Sequence, residues 1–186
     1  MSAPGAPPSA VLDTSVLYPA WSRVLLLRLA RRQPVGFRGI WSREIARELW
    51  RTFEVRDGRR GITPEQVRYG AAAAIYPLRQ VFVMVAAESR PSLTPTSPLP
   101  DSDDAHLWNA ALNAGAAYIV SNNTHHFPPP IPQREEGKHV LRHHVHGVEF
   151  VTAIEFIEDI LGLDAAALYG ASIPRGGIVR SARSRR

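Results

Sequence analysis

The chain has 186 residues, of which 45 % are hydrophobic, so one folded domain is expected rather than a disordered chain. It contains no cysteine, which excludes disulfide bonds and thiolate zinc sites. The formal charge of +5 equals the charge of the five arginines in the last thirteen residues, so the rest of the chain is formally neutral. A solubilising tail and an RNA-binding arm both remain open for that segment.

The amino-terminal region does not resemble a secretory signal. Residues 1–8 are rich in proline, alanine and glycine, without a basic stretch, and Asp13 interrupts the apolar run that follows. No apolar run approaches the roughly 18 residues that a membrane-spanning helix requires. We therefore expect a cytoplasmic protein that does not contact a membrane.

The first half of the chain predicts one strand followed by three helices. Apolar residues ending at Leu12 predict a buried strand that stops at Asp13. Residues 21–32 predict a helix with buried Val24, Leu25, Leu27 and Leu29. Residues 42–53 predict a second helix, with an apolar stripe of Trp41, Ile45, Leu49 and Phe53.

The third of these helices has the clearest start signal in the chain. Thr63 can cap it, Pro64 suits its first position, and Gln66 completes a capping box. We expect this helix to end at Tyr76-Pro77, because proline disfavours a helical interior. Residues 81–87 fit a strand or a helix, and residues 89–100 predict a loop.

The second half repeats the alternation of helices and strands. Residues 101–113 predict a helix that Gly115 ends, and residues 117–120 predict a buried strand ending in Ser121-Asn122-Asn123. Residues 148–151 predict another strand, after which a capping box from Thr152 to Glu155 opens a last helix. This alternation indicates an α/β fold with a central parallel sheet flanked by helices.

Polar side chains follow two of the predicted strands. Asp13 ends the first strand and Asn123 lies just beyond a later one, where parallel sheets bind their ligands. Asp13 could instead start a turn or cap the next helix. Its chemistry alone does not decide between these interpretations.

Two further acids lie at the borders of apolar helix faces. Glu48 lies about 60° from Ile45 on a helical projection, next to the buried stripe, although an exposed helix glutamate is the simpler interpretation. Asp104 shares a face with Leu107, Trp108 and Ala111, whereas Asp103 points toward solvent. Helix capping is the alternative role for Asp104 and its acidic neighbours.

Four segments together resemble the motifs of PIN-domain nucleases, in the family's order. The sequences are VLDTSVL at 11–17, SREIAREL at 42–49, LPDSDDAHL at 99–107 with AGAAYIV at 114–120, and SNNTHHFP at 121–128. The nearest branch resembles the VapC-like toxins of bacterial toxin–antitoxin pairs. The resemblance covers residues 11–160 and implies a single PIN-like domain at 9–170. From composition we expect a flexible leader at 1–8 and a disordered basic tail at 171–186.

The resemblance implies a Mg²⁺- or Mn²⁺-dependent ribonuclease that leaves 5′-phosphate and 3′-hydroxyl ends. Its metal ligands fall on Asp13, Glu48 and Asp104, and Asn123 completes the catalytic set. We expect polar support from Thr14, Ser15 and Ser121. The implied partners are an RNA substrate, a cognate antitoxin protein and a second copy of the chain in a homodimer.

Three positions depart from the family pattern. Ser15 stands where asparagine is frequent, Asn123 stands where many members carry a fourth acid, and His125 stands where a further aspartate often occurs. A neutral ligand weakens attraction for a divalent cation. The alternative function is therefore a catalytically weakened PIN-like module that binds RNA or a protein.

Other classes fit less well. A haloacid-dehalogenase-like phosphatase needs a second aspartate where Ser15 stands, and the chain has no glycine-rich phosphate-binding or dinucleotide-binding motif. Six histidines suggest a second metal cluster, but without a metal-binding spacing we expect surface or structural roles for them. They are His125, His126, His139, His143, His144 and His146.

Overall fold

A computed structural model describes residues 6–32, 36–88, 99–128 and 143–169. Residues 1–5 of the predicted leader at 1–8, and the whole of the predicted tail at 171–186, lie outside these ranges. Within them, no helix combines the length and apolar character needed to cross a bilayer.

The central element is a six-stranded sheet in the order β3-β2-β1-β4-β6-β5. The first five strands in this order run parallel, and β5 pairs antiparallel with β6 at one edge. The strands are β1 (Ser9–Leu12), β2 (Arg38–Ser42), β3 (Val83–Val85), β4 (Tyr118–Val120), β5 (His143–Val145) and β6 (Val148–Val151).

Helices flank this sheet, so the α/β class expected from the sequence is confirmed. The helices are α1 (Thr14–Leu17), α2 (Ala20–Ala30), α3 (Arg43–Gly58), α4 (Pro64–Val81), α5 (Ala105–Ala114), α6 (Ala153–Glu155) and α7 (Ala165–Tyr169). Short 3₁₀ turns occupy Ser102–Asp104 and Thr124–His126, and a π-helical turn at Phe156–Ile160 continues α6.

The register of the central strands brings two loops to one edge of the sheet. Leu12 of β1 is paired with Val120 of β4, and the Asp13 amide donates a 3.0 Å hydrogen bond to the Val120 carbonyl. Because the two strands are parallel, Asp13 and Ser121 emerge side by side at the carboxyl edge. This edge is where open parallel sheets place their ligands.

Strand β2 corrects the predicted role of Trp41. The sequence assigned Trp41 to the apolar stripe of the helix, but the structure places this fully buried residue in β2, and α3 begins at Arg43. Ser42 caps α3 by accepting a 3.2 Å hydrogen bond from the Ile45 amide. The apolar stretch before this cap is too short to separate strand from helix by periodicity alone.

Helix α4 confirms its predicted start and corrects its predicted end. The capping box between Thr63 and Gln66 is present, but the helix continues through Pro77 to Val81. Proline removes one amide donor, while Leu78 is fully buried and its carbonyl accepts a 2.8 Å hydrogen bond from the Phe82 amide. Packing of the last turn therefore outweighs the local cost of Pro77.

Two other predicted helices differ in smaller ways. In α2, Val24 is 42 % exposed rather than buried and Leu27 is only partly buried, whereas Leu25, Leu26 and Leu29 form the buried face. The predicted helix at 101–113 is divided into a 3₁₀ turn and α5. Gly115 ends α5 in the left-handed conformation at φ 60, as the sequence predicted.

The packing of β2 predicts opposite effects for two glycine-to-alanine substitutions. A methyl group at Gly39 would overlap the ring of Phe82, so Gly39→Ala should lower the free energy of unfolding by about 1–3 kcal/mol. Gly70 lies within α4 with open space beside it, so Gly70→Ala should raise that free energy by about 0.5–1 kcal/mol. Urea unfolding measures both, and an unchanged Gly39→Ala midpoint would contradict this packing.

Candidate active site

The carboxylate of Asp13 is fixed by two hydroxyl groups. Asp13 is 7 % exposed, and its Oδ2 accepts 2.6 Å hydrogen bonds from the Oγ atoms of Ser15 and Ser121. Although Asp13 occupies the N-cap position of α1, its side chain makes no capping hydrogen bond. The capping interpretation left open by the sequence is therefore wrong for Asp13.

The same two serines hold the loop that follows β4. Ser15 Oγ accepts a 2.9 Å hydrogen bond from the Asn122 amide, and Ser121 Oγ accepts a 3.0 Å hydrogen bond from the Asn123 amide. Each hydroxyl donates its hydrogen to Asp13 and accepts a backbone N–H in return. Asp13 and the loop carrying Asn123 are thus joined through one small hydrogen-bond network.

Glu48 of α3 faces the acids at the end of the sheet. Its side chain is 45 % exposed, and partial burial beside the sheet raises its pKa, as do the negative charges of Asp13 and Asp104. His106 acts in the opposite direction and lowers this pKa. Thr14 Oγ1 itself is buried and makes no hydrogen bond within the described ranges.

The three aspartates before α5 have different roles. Asp101 Oδ1 accepts a 2.9 Å hydrogen bond from the Asp103 amide and therefore caps the 3₁₀ turn. Asp103 is exposed, and Asp104 is half-buried and makes no side-chain capping hydrogen bond to α5. Capping thus accounts for Asp101 but not for Asp104.

An open cleft of about 850 Å³ contains all four residues proposed from the sequence, Asp13, Glu48, Asp104 and Asn123. The supporting residues Thr14 and Ser15 also line it, whereas Ser121 acts from behind through Asp13. Glu44 and three arginines of α3 form the wall, and Glu44 Oε1 lies 3.8 Å from Arg47 Nη1; the arginines are Arg47, Arg51 and Arg56. The cleft therefore combines carboxylate and amide oxygens with three arginines, and Glu44, Asp101 and Asp103 line it as well.

Tyr18 connects this wall to the carboxyl edge. Its hydroxyl donates a 2.8 Å hydrogen bond to Asp57 Oδ1, and the Arg56 guanidinium lies 5.1 Å from its ring centroid. The ring also contacts Phe53, with the centroids 5.1 Å apart. These contacts fix α3 against the segment that carries Asp13.

His106 is the cleft residue that the sequence reasoning missed. Its side chain is 16 % exposed, Nδ1 lies 2.7 Å from the Asp103 carbonyl oxygen, and Nε2 lies 3.5 Å from Glu48 Oε2. The available signal was its position inside the third motif, two residues after Asp104. Of the other histidines, His125 and His146 are exposed, and the side chains of His126, His139, His143 and His144 lie outside the described part of the chain.

The residues present suit a divalent cation by their chemistry and charge. Carboxylate and amide oxygens are the ligands of Mg²⁺ and Mn²⁺, and the acids that raise the pKa of Glu48 create a demand for positive charge. Within the described ranges, however, no group of three or more acidic or histidine side chains is already arranged to hold a metal. Binding would require side-chain rotation in the cleft.

The raised pKa of Glu48 predicts how metal-free protein responds to pH. The folded state keeps a proton that the unfolded state has lost, so stability falls as pH rises from the ordinary glutamate value of 4.5 through the raised pKa. In chelator, Glu48→Gln should therefore raise the melting temperature at neutral pH and lose this advantage in acid. Glu44→Gln, one turn earlier in α3, is the control, and equal pH profiles for Glu48→Gln and wild type would contradict the electrostatic assignment.

Comparison with known proteins gives one clear relationship. The sequence model of the PIN domain matches residues 9–125, which is well over half of the chain and includes Asp13, Glu48, Asp104 and Asn123. No curated protein matches the chain. Domains of this family are generally nucleases and typically use divalent metals. The chain therefore belongs to the PIN-domain family.

Proposed function

We propose that this protein is a metal-dependent endoribonuclease that hydrolyses RNA phosphodiester bonds with an activated water molecule. The observation that supports this proposal most strongly is the placement of Asp13, Glu48 and Asp104, from three separate elements, around one open cleft. A bound Mg²⁺ or Mn²⁺ ion would lower the pKa of a water molecule and stabilise negative charge on the phosphate. The products would carry 5′-phosphate and 3′-hydroxyl ends.

The three carboxylates that would bind the cation differ in how firmly their side chains are held. Asp13 is held by Ser15 and Ser121, so its carboxylate needs little reorganisation. Glu48 projects from α3 with 45 % of its side chain exposed and can rotate toward Asp13. Asp104 supplies the third negative charge at the start of α5. Asp13 would therefore anchor the ion, and the other two carboxylates would close around it.

Asn123 would contribute a neutral oxygen or a hydrogen bond to a water molecule. A fourth carboxylate at this position would add Coulomb attraction on the order of a few kcal/mol before solvation offsets it. The site should therefore bind its cation more weakly than a site with four acids. Titrations of metal dependence should therefore extend to higher cation concentrations than a four-acid site would need.

The arginines of α3 would bind the RNA backbone beside the acids. Arg47 and Arg51 are four residues apart and therefore lie on one face of the helix, next to Glu48. Guanidinium groups bind phosphate oxygens in a bidentate manner, and they would offset repulsion between the RNA and the carboxylates. Positive charge beside the cleft thus favours a polyanionic substrate.

The biological setting that we propose is a type II toxin–antitoxin pair, with the nuclease as the toxin. The support is the resemblance of its four motifs to VapC-like toxins. A cognate antitoxin would cover the cleft, and the nuclease would act as a homodimer. Expression with and without the adjacent small reading frame would test this role, since growth arrest relieved by the neighbour is expected. Growth unaffected by expression would count against it.

A second function is favoured by two specific observations. Asn123 reduces the acidic set, and the described residues include no converged three-ligand group. A catalytically weakened module would bind RNA or a protein through the same cleft without cleaving RNA. Its signature would be RNA binding that is indifferent to chelator, with no cleavage products.

The proposed mechanism predicts that Asp13→Asn abolishes RNA cleavage without unfolding the protein. The change preserves the size of the side chain but removes one of three negative charges, so Mg²⁺ or Mn²⁺ should bind much more weakly. Asn123→Asp should tighten metal binding, with a rate effect of either sign. Cleavage of a labelled RNA across a metal titration, with and without EDTA, measures both effects.

A matched pair from the aspartate cluster provides the control for that experiment. Asp104→Asn should behave like Asp13→Asn, whereas Asp103→Asn removes the same charge from an exposed side chain of the same cleft and should retain most activity. Full cleavage by Asp13→Asn, or cleavage that persists in EDTA, would contradict the mechanism and favour the binding module.

The arginine wall predicts a specific change in salt dependence. Replacing Arg47 and Arg51 with glutamine should weaken binding of single-stranded RNA and reduce the slope of log affinity against log salt by about 1.4, since each phosphate contact contributes about 0.7. Arg68 and Arg79, both exposed on α4, provide a control double variant with the same loss of charge. Equal slopes for the two double variants would exclude a specific role for α3.

A further inference from the structure

The environment of His106 fixes which ring nitrogen faces the cleft. The Asp103 carbonyl oxygen lies 2.7 Å from Nδ1 and can only accept a hydrogen bond, so Nδ1 carries a hydrogen and donates it. In the neutral ring, the lone pair is therefore on Nε2, which lies on the side of Glu48. Metal-binding histidines have this arrangement, in which the second nitrogen donates to a carbonyl or carboxylate group.

The contact between His106 and Glu48 is too long for a good hydrogen bond. Nε2 and Oε2 are 3.5 Å apart, and Nε2 is buried without a hydrogen-bond partner in the described part of the chain. Two ligands about 2.1 Å from one ion at a tetrahedral angle would be separated by about 3.4 Å. The observed separation therefore fits two ligands sharing a cation better than it fits a direct contact.

We propose that His106 is an additional metal ligand, which binds through Nε2 beside Glu48 and offsets the loss of a fourth acid at Asn123. This inference rests on the proposed metal dependence of the nuclease. Imidazole favours transition metals, whereas carboxylates alone suit Mg²⁺. A mixed site of His106, Glu48 and a further carboxylate of the cleft therefore selects Mn²⁺ or Zn²⁺ over Mg²⁺.

The position of His106 explains why this ligand is available without major refolding. It belongs to the first turn of α5, and its side chain is held at Nδ1 by the backbone of the preceding 3₁₀ turn. Asp104 lies in the same turn, so rotation of its carboxylate and of Glu48 would place three ligands around one point. Such preorganisation lowers the entropy cost of binding an ion.

The first test measures metal affinity rather than cleavage. Full-length protein is stripped with chelator, and its affinities for Mg²⁺, Mn²⁺ and Zn²⁺ are measured by calorimetry. His106→Gln should weaken Mn²⁺ and Zn²⁺ binding by about tenfold or more, since loss of even an outer partner costs that much. The affinity for Mg²⁺ should change less, so the preference for Zn²⁺ over Mg²⁺ should fall.

The matched control is His146→Asn. His146 is exposed in the turn before β6, its ring lies 6.1 Å from that of Trp108 and does not line the cleft, and its φ of 48 is a conformation that asparagine tolerates. This variant should keep wild-type affinities for all three ions. Equal losses in both histidine variants would overturn the assignment to His106.

A spectroscopic measurement requires no variant. The electron spin echo of Mn²⁺ bound to the wild-type protein should carry nitrogen modulation from the imidazole ring, and His106→Gln should abolish it. Mn²⁺ bound without nitrogen modulation, or an unchanged ion preference in His106→Gln, would overturn this inference and leave the proposed nuclease intact. Wild-type protein that binds none of the three ions would overturn both.

Discussion

The hydrogen-bond network around Asp13 is the interaction on which the rest of the site depends. A buried carboxylate is costly unless hydrogen bonds replace its water, and Ser15 and Ser121 supply two short ones to the same oxygen. Ser121 reaches Asp13 only because β1 and β4 are parallel neighbours with Leu12 paired to Val120. The register of the sheet thus determines the position of the first charge in the cleft.

The carboxylate of Asp13 also acts on the other acids of the cleft. Burial raises the pKa of Glu48, and the negative charges of Asp13 and Asp104 raise it further, so the carboxylates repel one another when the cleft contains no cation. Proteins commonly accept such a cost at functional sites rather than in structural ones. His106 lies at the same point, and its Nε2 is withheld from any hydrogen bond in the described part of the chain. A bound cation would therefore relieve the repulsion among these carboxylates.

One face of helix α3 packs in the core, and another face lines the cleft. Ile45, Leu49 and Phe53 are buried against the sheet and the neighbouring helices, which fixes the rotation of the helix about its axis. That rotation then places Glu48 toward Asp13 and sets Arg47 and Arg51 along the wall. The Tyr18 contacts with Asp57 and Arg56 secure the far end of the helix. A change in the apolar stripe would therefore alter the chemistry of the cleft as well as stability.

The sequence by itself determined the α/β alternation, the caps at Thr63, Gly115 and Thr152, and the family resemblance, because these depend on local periodicity and short motifs. It could not locate Trp41 in a strand or extend α4 beyond Pro77, since packing in the hydrophobic core outweighed local propensity at both places. Only the tertiary structure excluded capping by Asp13 and brought His106 to Glu48. These contacts join residues far apart in the chain, and local patterns carry no information about them.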